Sequence, residues 1–172
     1  MISLLQNGSV WIDRFSSWMA SGIKWLSLAM VLTTLTVVVL RYGFSVGAIP
    51  LQEAVLYMHG LVFLLGIPNG IADNSHVRVD LLYSRYSQRT QRLVDLCGHV
   101  LFLVPLALFM LFITIPYVQA SWRVLEGSPE VGGLPAVFLL KTLLPVAAVC
   151  MLLQGVSEII KQAIWLLGTR ED

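Results

Sequence analysis

The sequence predicts an all-α integral membrane protein, and three observations carry this prediction. Of the 172 residues, 57% are hydrophobic and only 12% are charged, whereas about a quarter of the residues of a typical soluble domain are charged. Four apolar stretches are each long enough to cross a hydrocarbon core, which takes about 20 residues as a helix. The formal net charge of +1 provides no basic field for a nucleic acid. The composition therefore argues against a soluble enzyme and a nucleic-acid-binding protein.

The four predicted spans are continuous apolar runs, without the alternation that marks a strand of a membrane β-barrel. Because lipid offers the backbone no hydrogen-bond partner, each run is expected to form a transmembrane helix. We place these helices at about residues 24–40, 51–72, 93–118 and 135–160. The prolines within them should bend the helices locally, and Pro135 can open the fourth helix.

The distribution of Lys and Arg predicts the orientation of the chain. The N-terminal segment, the 73–92 loop and the C-terminal end together carry eight of these residues, whereas the 41–50 and 119–134 loops carry two. Positive charge in short loops favours the cytoplasmic side of a membrane. We therefore expect a multi-pass protein with both termini and the 73–92 loop in the cytoplasm.

Residues 4–22, ahead of the first span, are predicted to form an amphipathic interfacial helix. Trp11, Phe15 and Trp18 recur at helical spacing along one stripe, and tryptophan favours the boundary between lipid and water. These three side chains are the expected membrane-interface anchors. The alternative is a simple extension of the first span.

The cytoplasmic loop is expected to contain a short interfacial segment over residues 76–86, followed by a new helix. Ser87 can cap a helix that begins at Gln88. Arg89 and Arg92 then lie in the first turns of that helix, where anionic lipid head groups attract them. We therefore count these two arginines among the interface anchors.

Three charged residues near the outer ends of the spans are expected to form one polar cluster. They are Arg41 at the end of the first span, Glu53 at the start of the second, and Lys141 about six residues into the fourth. Ionised groups within a bilayer are costly, so they usually pair or face protein. Structural pairing or contact with a partner is the preferred interpretation. An ion or substrate site is the alternative, although one acid with two cations does not resemble a carboxylate-rich cation site.

The two histidines within the spans raise the question of haem. His59 and His99 are offset in depth by roughly 8–14 Å at 1.5 Å per residue, whereas two axial ligands to one iron must lie level. We instead expect both rings to hydrogen-bond between helices. The chain has no Walker loop, nucleophile elbow or H-E-x-x-H motif. We therefore predict no cofactor, no metal site and no catalytic residue.

Three function classes fit these features. The first is an accessory or scaffold subunit of a membrane complex, because few polar groups lie within the spans and no inverted repeat indicates a transport site. The second is a small self-sufficient carrier. The third is a haem-bearing membrane anchor of a redox complex.

The chain resembles the DctQ-like small membrane subunit of tripartite ATP-independent periplasmic (TRAP) transporters over about residues 24–160. Gln52 stands where that family often has a second acid, and Asn74-Ser75 stand where it often has glycines. The motifs that carry the resemblance are, in chain order, Arg41-Tyr42-x-Phe44, Gln52-Glu53, Gly66, His76-Val77-Arg78-Val79-Asp80, Ser128-Pro129, Leu134-Pro135 and Pro145.

The resemblance implies a subunit of a secondary transporter in the bacterial inner membrane, with four spans and both ends cytoplasmic. Such subunits associate with a large multi-span membrane subunit that holds the substrate and sodium sites. A periplasmic substrate-binding protein delivers the substrate, usually a carboxylate, and the small subunit is thought to act as a fixed scaffold. On this basis His76, Arg78 and Asp80 would organise the cytoplasmic loop, and the three outer charged residues would hold the outer side together or contact the partner.

Overall fold

The structure is a computed structural model that describes residues 2–73 and 83–168, with side chains from residue 6 onward. The described chain is all-helical and contains four helices that are long and apolar enough to cross a membrane. The predicted fold class is therefore confirmed. The helices are α1 (Ile2–Gly43), α2 (Ile49–Ala72), α3 (Gln88–Arg123) and α4 (Val137–Gly168).

Helix α4 is the centre of the bundle. It packs against α1, α2 and α3, and α1 and α2 also pack along each other. Small residues make this close packing possible, because they let helix backbones approach within a membrane. A Cβ atom at Gly155 of α4 would lie 3.0 Å from the Leu103 side chain, and one at Gly60 of α2 would lie 3.1 Å from Leu140.

The predicted helix over residues 4–22 is present, but it is continuous with the first span. Helix α1 has 42 residues and is therefore about 63 Å long, roughly twice the thickness of a hydrocarbon core. A single glycine such as Gly22 costs a helix only about 1 kcal/mol and does not end it. The structure thus corrects the expectation of a separate helix, while the placement of residues 4–22 at the membrane surface stays a prediction.

Helix α3 begins where the sequence predicts it. Ser87 is the N-cap, and its side chain accepts a hydrogen bond from the Thr90 amide at 3.3 Å. The α-helical turns Gln88–Gly98 lead into a π-helical turn at His99–Leu103, after which the α-helix resumes at Val104–Arg123. Pro105 follows directly, and because it has no N–H it cannot donate to the preceding turn.

Three further prolines lie within helices that continue past them, at Pro68 in α2, Pro116 in α3 and Pro145 in α4. Helix α4 begins at Val137 rather than at Pro135. The predicted interfacial segment over 76–86 lies largely outside the described residues.

Candidate functional site

Glu53 on α2 holds the loop that joins α3 to α4. One carboxylate oxygen accepts a hydrogen bond from the Ser128 hydroxyl, and the other accepts from the Leu134 amide at 2.5 Å. A Cβ atom at Gly133 would lie only 2.7 Å from Oε1 of Glu53. Only glycine therefore lets the loop close over this carboxylate.

Lys141 on α4 forms an ion pair with Glu126 in the same loop, with 2.5 Å between Nζ and Oε2. The Ser121 hydroxyl donates to the same carboxylate oxygen at 2.6 Å, and Nζ lies 4.3 Å from the centre of the Tyr117 ring. Glu126 lies outside the predicted spans. The hydrogen bonds from Lys141 and Ser121 hold the pKa of its carboxyl below the usual value.

The observed contacts differ from the single cluster expected for Arg41, Glu53 and Lys141. Glu53 binds loop donors, whereas Lys141 pairs with Glu126, which was not among the residues predicted from the sequence. Arg41 is exposed at the end of α1, and no described acid lies within ion-pair distance of it. The reason is that the loop brings its own donors and its own acid close to α2 and α4. We call the contacts of Glu53 and Lys141 with this loop the loop cluster.

The opposite end of the bundle has a larger polar network between α1 and α4. The Ser16 hydroxyl donates to Oε1 of Gln154 at 2.8 Å, and Nε2 of Gln154 donates to Oδ1 of Asp13 at 2.9 Å. Lys161 lies 2.7 Å from Oδ2 of Asp13 and 2.6 Å from Oε1 of Glu158. Two carboxylates thus share one ammonium group. We call this network the polar seam; its members are Ser9, Asp13, Ser16, Gln154, Ser157, Glu158 and Lys161.

The polar seam is buried at its centre, whereas the Asp13 and Lys161 side chains are 31% and 33% exposed at its edge, and the seam orients α1. Gln154 and Ser157 have no exposed surface, and Ser9 and Ser16 are 4% and 2% exposed. Buried polar groups are costly unless they are paired. Gln154, Ser157 and Ser16 hydrogen-bond within the seam, and Ser9 accepts from Ser157 through its backbone carbonyl. The polar face of α1 is therefore turned towards α4, and its apolar face is turned outward.

The sequence contains a signal for the polar seam in the spacing of the polar residues of α4. Four polar residues of α4 follow the spacing i, i+3, i+4 and i+7, which places them on one face of a helix. They are Gln154, Ser157, Glu158 and Lys161. Lys161 was counted only toward the positive charge of the C-terminal end. The α1 partners Ser9, Asp13 and Ser16 also recur at helical spacing.

The two clusters lie about one hydrocarbon thickness apart. Lys141 and Lys161 are about 20 residues apart on α4, which corresponds to roughly 30 Å along a helix. A hydrocarbon core is also about 30 Å thick. The structure thus gathers its paired charges at two levels and leaves an apolar stretch of α4 between them.

The predicted anchors fall into two groups. Trp11, Phe15 and Trp18 are 70%, 47% and 75% exposed on the outer face of α1, and Arg89 is also exposed. Arg92 instead faces α4, where Nη1 donates to Oε1 of Gln162 at 3.0 Å and the guanidinium lies 5.5 Å from the centre of the Trp165 ring. Arg92 therefore joins α3 to α4.

The two histidines within the spans have different surroundings. The ring of His59 packs on Phe63 at 4.6 Å, and Nδ1 of His99 is buried without a hydrogen-bond partner. Neither ring shows the expected interhelical hydrogen bond within residues 6–73 and 83–168. The same residues contain no group of three metal-ligating side chains. His76, Arg78 and Asp80 lie outside the described residues.

Comparison with known families gives the chain its class. A family model described as tripartite ATP-independent periplasmic transporters, DctQ component, matches residues 30–164. The chain belongs to the DctQ family. Membership makes it the small membrane subunit of a TRAP transporter. The DctQ family is a family of transporter components and not of enzymes. The match reaches from within α1 to within α4 and so includes the loop cluster and the α4 half of the polar seam. No similar curated protein or solved structure was found.

Proposed function

We propose that this DctQ subunit is the static scaffold of its TRAP transporter and does not itself conduct substrate. It would brace a large multi-span subunit in the bacterial inner membrane, with both termini cytoplasmic. That subunit would carry the substrate and the coupling ion, and a periplasmic binding protein would deliver a carboxylate.

The commitment of the polar groups on α4 to contacts within the chain carries this proposal. Gln154, Glu158 and Lys161 bind one another and α1, and Lys141 binds the α3–α4 loop. A polar substrate needs unengaged donors and acceptors along its path. Between these two levels, Ala147 and Ala148 have no exposed surface, so the helices are tightly packed there.

The shape of the bundle also supports a bracing role. Packed side chains couple α4 to the other three helices, and close-packed interiors transmit strain with little compression. A subunit of this kind can hold its position while a neighbour moves. The three outer residues Arg41, Glu53 and Lys141, and the loop residues His76, Arg78 and Asp80, stay our candidates for organising or contacting the partner.

Reconstitution tests the proposal. Vesicles containing the large subunit, this chain and the binding protein should take up the substrate of that binding protein under an inward sodium gradient. Vesicles that contain this chain alone should take up none, and vesicles that lack only this chain should lose most of the uptake. Uptake by this chain alone would identify it as a self-sufficient carrier. A haem absorbance band from the purified chain would instead support a redox anchor.

Asp80→Ala tests the role of the cytoplasmic loop. We expect this change to reduce the recovery of the large subunit on the tagged chain severalfold, because the loop would lose an acid that organises it. The affinity of the complexes that do form for substrate should not change. Normal assembly with altered substrate choice would contradict this role.

A further inference from the structure

The outward face of the N-terminal half of α1 carries a regular stripe of large and small side chains. We call it the tryptophan stripe; its members are Trp11, Phe15, Trp18, Gly22, Trp25 and Ala29. The spacing alternates between four and three residues, which is the spacing of the seam along which one helix packs against another. Trp18 and Trp25 are 75% and 74% exposed.

The stripe has a hole between its largest side chains. No atom lies within 4 Å of the position of a Cβ at Gly22. A groove of about 680 Å³ runs past this glycine, lined by Trp18, Trp25 and Ala29 of α1 and by Leu61 and Leu65 of α2. Large side chains on either side of a glycine present both a knob and a hole to an approaching helix.

The polar seam fixes this face outward. Ser9, Asp13 and Ser16 are held against α4 by hydrogen bonds and an ion pair. Turning the aromatic side chains inward would bring those polar groups out of their network. The stripe is therefore a fixed feature of the bundle.

The stripe is longer than the lipid head-group zone is thick. Trp11 and Trp25 are about 14 residues apart, which is roughly 21 Å along the helix. The interfacial zone on one side of a bilayer is only about 5–8 Å thick, as the difference between the whole bilayer and its core implies. Where α1 crosses the bilayer, head groups on one side therefore reach the tryptophans at one end of the stripe and not at both.

The charge beside the stripe is positive. Arg14 flanks the stripe and Lys24 lies on the far side of the same stretch of helix; both are exposed, and no described acid lies within ion-pair distance of either. All copies of a membrane protein insert in one orientation, so a symmetric pair of α1 helices would bring Arg14 towards Arg14. Like charges disfavour that contact. The charges favour a different polypeptide that carries an acid at this level.

We propose that the tryptophan stripe is the docking surface for one membrane-embedded helix of the large subunit. This inference rests on the proposed function and adds the location of the contact. The docking helix would place a bulky apolar side chain in the hole at Gly22 and a carboxylate level with Arg14.

Gly22→Trp tests the hole. The tagged chain is co-expressed with the large subunit, and the amount of large subunit recovered on it is measured. We expect at least about a tenfold loss of recovery, because the new side chain fills the space that the partner would occupy. The variant chain should still purify as a single species, since a Cβ at residue 22 meets no atom within 4 Å and the ring can lie in the open groove beside it. Val31→Trp is the matched control. Val31 is 60% exposed and lies nine residues from Gly22, on the opposite face at about 100° per residue, so recovery should be normal.

Arg14 gives a second test. Arg14→Glu should lower recovery severalfold, whereas Arg14→Lys, which keeps the charge, should have a much smaller effect. Both variants are compared in vesicles of neutral lipid and in vesicles that contain anionic lipid. An effect of Arg14→Glu only where anionic lipid is present would assign the stripe to lipid head groups and overturn the proposal.

The other outcomes are also decisive. Normal recovery of the large subunit on the Gly22→Trp chain would contradict the proposed docking surface without contradicting the scaffold function. A dimer of the isolated chain that Gly22→Trp converts to monomer would assign the stripe to a second copy. If the unaltered chain recovers no large subunit, the proposed function fails, and the assignment of this surface to that partner fails with it.

Discussion

The loop cluster and the polar seam both pair charges, but they do so in different environments. In the loop cluster, Lys141 pairs with a carboxylate that is 37% exposed, on Glu126 only 15 residues away along the chain. In the polar seam, Gln154 has no exposed surface and joins α4 to residues about 140 positions earlier. The first arrangement shapes a loop, whereas the second joins the two ends of the chain.

The difference shows what a buried amide contributes that an exposed ion pair does not. Exposed ion pairs typically contribute less than about 1 kcal/mol because water already solvates both charges. A buried group that loses its partner costs about 1–3 kcal/mol, and more when the partner is charged. Gln154 is both donor and acceptor, so it satisfies the Ser16 hydroxyl and the Asp13 carboxylate together.

Gln154→Leu should therefore have the largest effect on stability. The substitution keeps a side chain of similar size but removes the hydrogen bonds to Asp13 and Ser16, and we expect a loss of about 2–4 kcal/mol in the free energy of unfolding. Unfolding of the purified chain in detergent measures it. Gln52→Leu, at an exposed position, is the control and should stay within about 0.5 kcal/mol of the parent. Equal effects at the two positions would remove the distinction between the seam and the surface.

Gly133→Ala should have an intermediate effect, confined to the loop. The added Cβ would lie 2.7 Å from Oε1 of Glu53, so either the loop or the carboxylate must move, at a cost of about 1–3 kcal/mol. Faster proteolysis within residues 124–136 would report the displacement. Gly66→Ala is the matched control, because nothing lies within 4 Å of its Cβ position and alanine favours a helix. A loop that resists protease as well in the variant as in the parent would contradict this account of Gly133.

The Glu126–Lys141 pair should have the smallest effect and a defined pH dependence. The pKa of Glu126 in the folded chain lies below its ordinary value of 4.5, so the unfolded chain takes up a proton first as the pH falls. The stabilisation is present above the ordinary pKa and is lost as the pH falls through the lowered one.

Melting temperatures of the parent and of Glu126→Gln, measured from pH 7 down to pH 3, test this pH dependence. The small advantage of the parent at pH 7 should vanish at the acid end. An advantage that grows on acidification would mean that another group controls the pH response.

Composition was enough to predict the four spans, because an apolar run of about 20 residues has few alternatives in a membrane. The Ser87 cap was also predictable, since capping depends on neighbouring residues. The continuity of α1 was only the alternative interpretation of residues 4–22, although Gly22 weakens a helix without ending it. The pattern of residues near Gly22 cannot determine whether the helix continues there when packing of α1 against α4 stabilises it.

The partners of the charged side chains were harder to predict than their positions. Glu53 and Lys141 were expected at one end of the bundle, and both contact the α3–α4 loop, but those contacts depend on how the loop folds, including the positive φ of Leu125 and Gly132. The polar seam was missed for a related reason. A stripe of polar residues on α4 shows which face they share, and it does not show that Ser16 and Asp13 will lie opposite.

The π-helical turn at His99–Leu103 determines in which direction the side chains of the first part of α3 point. Each residue of an α-helix advances the chain by about 100°, so one extra residue in a π-helical turn rotates everything before it relative to everything after it. Ala107, which has no exposed surface, and Arg92, which binds Gln162, lie on opposite sides of this turn and yet both face α4. Deleting one residue from the turn would restore regular geometry and swing Arg92 about a quarter of a circle away from its partner. The π-helical turn thus allows both halves of α3 to face α4.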